Sequence, residues 1–244
     1  MKNTNKHYII IILLVMLIVS ILTFNIYKYN NILKNKIINS NVIEVNHEIN
    51  KINYEEELNK VRNKYNNNDI VGILSNSLDT LNEIVMQSTD NDYYLEHTVY
   101  HEYNWRGQTF LDYRNDINNS DKLIIYGHNS NYYNLPFKVL ENYYNKSYYD
   151  ENKYLYLQTD LNKYKYEIFS VYVEVSDWEY YNKMKFNTKN EYYNHILKLK
   201  NKSMYDTNVS VNEDDKILII QTCSTKKEYS NYENKFLLII AKRV

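Results

Sequence analysis

The chain has 244 residues, a formal net charge of −1, a single cysteine and 29 tyrosines. Near-balanced charge leaves no electrostatic footprint for nucleic acid or an anionic partner, and one cysteine excludes an internal disulfide, so the fold must rest on its core. Beyond a leading apolar segment roughly 210 residues remain, enough for one domain with a substantial core.

Residues 8–27 read YIIIILLVMLIVSILTFNIY. They carry no charge and, at about 20 residues, are long enough to cross a hydrocarbon core as a helix. No small-residue cleavage site follows, so residues 1–28 are expected to form an uncleaved membrane anchor rather than a signal peptide. Lys2 and Lys6 before it compete with Lys28, Lys34 and Lys36 after it, which leaves the orientation open. Residues 29–68 are rich in Asn and Lys, with Ile49, Ile52, Leu58, Val61 and Tyr65 at spacings that fit amphipathic helices. They are expected to act as a helical stalk and lid.

From residue 69 to 244 the pattern changes to short β-rich runs. Ile70–Leu74 and Glu83–Gln87 read as strands, with Tyr93–Leu95 and Thr109–Leu111 as edge pieces. Lys122–Gly127 is a continuous apolar run, the mark of a strand covered on both faces. Pro136 opens a short helix that carries Phe137, Leu140 and Tyr143 or Tyr144 on one side. Lys153–Thr159 and Tyr164–Val175 alternate apolar and polar residues around Asp160-Leu-Asn162, a hairpin signal. Residues 176–212 interrupt the strands, and within them Thr188-Lys-Asn-Glu191 has the capping-box pattern for a helix facing inward with Tyr192, Ile196 and Leu199. Two strong runs, Lys216–Thr222 and Lys235–Ala241, close the chain. About eight strands, few helices and no βαβ rhythm predict a mainly β protein: a closed or nearly closed eight-stranded β-barrel with N-terminal helices and a helix-containing insert before the strand that ends in Cys223.

The chemistry is carried by strand ends. Cys223 ends one apolar run, Lys216-Ile-Leu-Ile-Ile-Gln-Thr-Cys223, and His128 ends another, Lys122-Leu-Ile-Ile-Tyr-Gly-His128. A thiolate is the nucleophile that a carbonyl needs, and an imidazole can take the thiol proton and later protonate a leaving amine. The tetrahedral intermediate also needs a positive group or N–H donors at its oxygen. Lys235 begins the strand after Cys223, and antiparallel pairing would return it to the level of the sulfur. Taken singly, His128 reads as a loop histidine and Cys223 as a packed inert thiol; their joint placement points to catalysis. The other histidines fit less well: His7 precedes the anchor, His47 lies in the stalk, His97 and His101 in a polar segment, and His195 on the insert helix. A lone Cys with no clustered His offers no metal site, and the chemistry requires no cofactor.

Tyr126-Gly-His128-Asn129 and Ile219-Ile-Gln-Thr-Cys223 resemble the histidine and T-L-x-T-C motifs of sortases. With Asp90-Asn-Asp-Tyr-Tyr-Leu95, Gly107-Gln-Thr-Phe-Leu-Asp-Tyr113 and the long insert, the ordered set is similar to class B sortases over roughly residues 65–244. The resemblance implies a membrane-anchored cysteine transpeptidase, single-pass, with its catalytic domain extracellular. It implies surface proteins bearing a C-terminal sorting signal as substrates and a peptidoglycan precursor or other amine as acceptor. Cys223 would form the thioacyl enzyme, His128 would be general acid/base, and Asn91, Tyr126 and Thr222 would line the substrate groove. Two positions depart from the family. Lys235 stands where sortases carry Arg, keeping the charge without the planar two-pronged donor, and Ile219-Ile220 replace Thr-Leu. The missing Arg motivates an alternative, a weak or inactive peptide-binding module on the same barrel; a peptidase releasing its product to water is a third reading.

Overall fold

A computed structural model describes residues 54–244 and, before them, only positions 23, 26, 28–30, 33 and 34, all helical. Among the described residues no helix is long and apolar enough to cross a membrane; the anchor expected over 8–27 lies outside them but for Thr23 and Ile26. Eight strands follow a first helix, α1 (54–65). They are β1 (Ile70–Asn76), β2 (Asn82–Met86), β3 (Phe110–Leu111), β4 (Lys122–Tyr126), β5 (Tyr154–Gln158), β6 (Lys163–Glu174), β7 (Ile217–Cys223) and β8 (Phe236–Arg243). They close into a barrel in the order β1-β2-β3-β4-β7-β8-β6-β5, with β5 pairing back to β1. Among the described residues, closure leaves no edge strand to pair with another chain.

Most neighbours are antiparallel, but β4 and β7 run parallel, Lys122 opposite Ile217 and Tyr126 opposite Gln221. This pairing decides the geometry of the site. Two parallel strands finish at the same rim, so whatever follows Tyr126 emerges beside whatever ends β7. β8 then runs antiparallel to β7 with Cys223 opposite Phe236, which brings the start of β8 to that rim as well.

The central strands are apolar throughout because both faces are covered. Leu218 and Ile220 of β7 join Leu123, Ile125, Leu237 and Ile239 in one cluster, while Ile217 and Ile219 join Ile124, Leu238 and Ile240 in another. The second cluster is roofed by the insert, which contributes helices α3 (Trp178–Asn182) and α4 (Lys189–Asn201) after the short α2 (Lys146–Glu151). Thr188 caps α4 by accepting from Glu191 N at 3.1 Å, and Glu191 accepts in turn from Asn187 N at 2.6 Å, one residue earlier than a strict capping box. Tyr192, Ile196 and Leu199 are buried, as the spacing predicts. The segment Pro136–Tyr144 is 3₁₀ rather than α, yet it buries the predicted Phe137, Leu140 and Tyr143. Tyr93–Leu95 is no edge strand but a 3₁₀ turn; Asp90 Oδ1 accepts from Asp92 N and Tyr93 N at 2.9 and 2.8 Å and bends the chain before a ladder can form. α1 packs Leu58, Val61 and Tyr65 against Ile70, Met86 and Phe110.

Candidate active site

Residues 127–129, at the exit of β4, are laced to the end of β7. Gly127 N donates to Gln221 O at 3.2 Å, Thr222 Oγ1 donates to Gly127 O at 2.7 Å, and Asn129 Nδ2 donates to Cys223 O at 3.0 Å. Gly127 is required there: a Cβ would sit 2.7 Å from ring carbons of Phe137. With this lacing, His128 and Cys223 line one cavity of about 330 Å³, together with Asn91, Leu95, Phe110, Tyr126, Trp178, Tyr181, Asn182, Gln221, Thr222 and Phe236. His128 Nε2 lies 2.9 Å from Leu95 O. That contact needs an N–H at Nε2, so the neutral ring presents Nδ1 as its acceptor.

Cys223 is exposed by area, yet the packed walls around it desolvate its sulfur as a groove does. That desolvation pushes the thiol pKa above its ordinary value, and the positive charge of Lys235 opposes the rise. Lys235 precedes the first residue of β8, and its carbonyl accepts from Ser224 N at 2.7 Å. It acts on the sulfur through charge and is not part of the cavity lining. The turn beyond Cys223 is anchored to the 3₁₀ segment by Ser224 Oγ with Tyr144 OH at 2.6 Å and by Thr225 N donating to Glu141 at 2.8 Å.

Asn91 and Tyr126 meet through a residue not singled out from the sequence. Asp112, fully buried, accepts from Asn91 Nδ2 at 3.0 Å, Tyr126 OH at 2.8 Å and Arg114 Nε at 2.8 Å. Burial raises the Asp112 carboxyl pKa, but Arg114, Tyr126 and Asn91 together hold it below its ordinary value. Asn91 Oδ1 accepts from Tyr113 N at 3.0 Å, and Arg114 also donates to Asn182. Asn91, Tyr126 and Thr222 therefore spend their main hydrogen bonds on protein partners, and what they offer the cavity is shape. The insert wall of Trp178, Tyr181 and Asn182 was likewise not singled out; an Asp directly after Phe110-Leu111 was the one sequence signal for the buried network. The remaining described histidines lie elsewhere: His97 stacks on Tyr93, which also contacts His101, and His195 is buried on α4.

A family model described as a sortase domain matches residues 83–244. Sortase B of Listeria monocytogenes is 35% identical over 164 residues, spanning 67% of this chain and 66% of that protein. Sortase B of Staphylococcus aureus is 31% identical over 177 residues, spanning 72% and 70%. The matched stretch thus spans about two-thirds of each curated relative. Among solved structures, Clostridium perfringens sortase B superposes with a TM-score of 0.69 at 28% identity, covering 76% of this chain and 99% of that one.

Proposed function

The chain belongs to the sortase family, on its class B branch, and from that premise we propose that it is a membrane-anchored cysteine transpeptidase of a Gram-positive cell surface. Its substrates are surface proteins with a C-terminal sorting signal, and its acceptor is a cell-wall amine. The observation that carries the reading is the single cavity lined by both Cys223 and His128 at the rim where β4 and β7 end together. The uncharged stretch 8–27 supports a single-pass anchor, with the barrel outside.

In the first half-reaction the Cys223 thiolate attacks the carbonyl carbon of the scissile amide. Negative charge gathers on the carbonyl oxygen, where the ammonium of Lys235 stabilises it. The C–N bond breaks, His128 delivers its proton to the leaving amine, and a thioester remains. In the second half, the acceptor amine attacks the thioester, its proton passes to His128, and the C–S bond breaks to return the Cys223 thiolate beside the protonated imidazole. Asn91, Tyr126 and Thr222 shape the groove that holds the sorting signal, through the carboxylate of Asp112 and the carbonyl of Gly127.

The test is to incubate the full chain in detergent with NPxTx- and LPxTG-type peptides, with and without an amine, and to identify products by mass spectrometry. An amine-linked product that disappears in Cys223→Ala supports transpeptidation. Hydrolysis unaffected by amine points to a peptidase, and binding without cleavage to a peptide-binding module.

A further inference from the structure

Lys122 is a lysine buried at the start of β4, 4% exposed, and the mechanism above makes no use of it. Its ammonium donates to Tyr181 O, to Lys183 O at 2.7 Å and to His195 Nε2 at 3.0 Å. Tyr181 belongs to α3 and Lys183 follows its last residue. A helix of 5 residues has no stability of its own, because nucleation outweighs so few hydrogen bonds. It stands because its surroundings hold both ends. Before it, Glu174 Oε1 accepts from the N–H groups of Ser176 and Asp177 at 3.1 and 3.0 Å; after it, Lys122 supplies a donor to the carbonyls of Tyr181 and Lys183. These charges have the signs the helix dipole favours.

We propose that Lys122 is a positioning residue for peptide recognition: from the barrel wall beneath the insert it fixes α3, and through α3 it sets the groove wall of Trp178, Tyr181 and Asn182. The inference rests on the transpeptidase reading for its substrate and on the geometry alone for the latch. Lys122 touches neither Cys223 nor His128, so removing it loosens recognition and spares the nucleophile.

The latch also survives loss of its proton. Burial first, then the charges of Arg114 and Lys183, pull the Lys122 pKa down to about 7, with Asp112 opposing. His195 is neutral throughout, its pKa lowered to about 2 by burial and by Lys122, Lys183 and Lys198. As an ammonium, Lys122 gives three N–H bonds. As an amine it gives two to the carbonyls and accepts a third from His195 Nε2–H, so the count is kept.

The experiment compares wild type, Lys122→Met and Lys122→Ala in the full chain. Lys122→Met is expected to raise the peptide KM about 5–10-fold with kcat within about twofold, to leave the alkylation rate of Cys223 unchanged, and to speed amide hydrogen exchange at 178–183 while the barrel strands keep their protection. Unchanged KM, or a loss of kcat and alkylation together, would overturn the proposal. Should Lys122→Met not fold, Lys122→Ala, which removes the donor and leaves room for water, decides by exchange at 178–183: faster exchange supports the latch, equal protection refutes it. A wild type without turnover refutes the transpeptidase reading instead, and exchange still judges the latch.

Discussion

At the scale of single residues, the proposed nucleophile is set by two opposing forces on its sulfur. Desolvation by the groove raises the Cys223 pKa and Lys235 lowers it. Removing the cation in Lys235→Ala leaves only the rise, so alkylation of Cys223 by iodoacetamide near neutral pH should slow several-fold, and its pH profile should move to higher pH. With the proposed role of Lys235 at the oxyanion, its loss should also lower kcat by about 10²-fold, the scale of a lost oxyanion donor. Lys235→Arg restores the charge as a planar fork and is expected to raise kcat above wild type. Equal kcat and equal alkylation in all three would mean that Lys235 is only a solvated charge at a strand start.

At the scale of elements, the junction of β4 and β7 is where sequence and structure meet. Thr222 Oγ1 donates to Gly127 O, so Thr222→Val keeps the shape and strands a carbonyl. That should cost about 1 kcal/mol of stability, the net worth of a hydrogen bond whose acceptor is half-buried. It should also lower kcat with little change in KM, because the loop bearing His128 loses a tether; Thr222→Ser should restore both. Urea unfolding and steady-state kinetics check the pair, and a Thr222→Val enzyme with wild-type kcat would show that the tether is dispensable. The strands themselves were legible because β4, β7 and β8 are covered on both faces, and a run such as Leu123-Ile-Ile125 can belong to little else. That Cys223 and His128 would come to one cavity was legible because each ends such a run. What the sequence hides is long-range or local polar bonding. Tyr93–Leu95 has strand-like residues, but Asp90 turns the chain. Pro136–Tyr144 shows the right buried face, but periodicity over so short a segment cannot separate 3₁₀ from α. Asp112 and Lys122 are ordinary charges in the sequence, and they become buried organisers only because Arg114, Asn91 and α3 fold onto them.

At the scale of the whole molecule, a buried lysine leaves a signature in how stability follows pH. In the unfolded chain Lys122 titrates near its ordinary 10.5; in the folded barrel it titrates at about 7. Between these values the unfolded state binds more protons, so stability rises with pH through that window. The contribution is fully present above 10.5 and is lost as pH falls through about 7. Glu83 acts in the opposite sense and at lower pH. Burial raises it from 4.5 to about 7, so its contribution is complete below 4.5 and lost as pH rises through 7. The two windows barely overlap, which lets Lys122 be read alone above neutrality. In urea unfolding of wild type against Lys122→Met, the difference in unfolding free energy should move in favour of wild type from pH 7 to pH 9, by up to about 1.4 kcal/mol per pH unit. The other titrating groups are common to both proteins and cancel. A difference that stays flat across this range would mean that the Lys122 ammonium keeps its water-like pKa, and that the barrel and insert meet around a hydrated charge rather than a dry one.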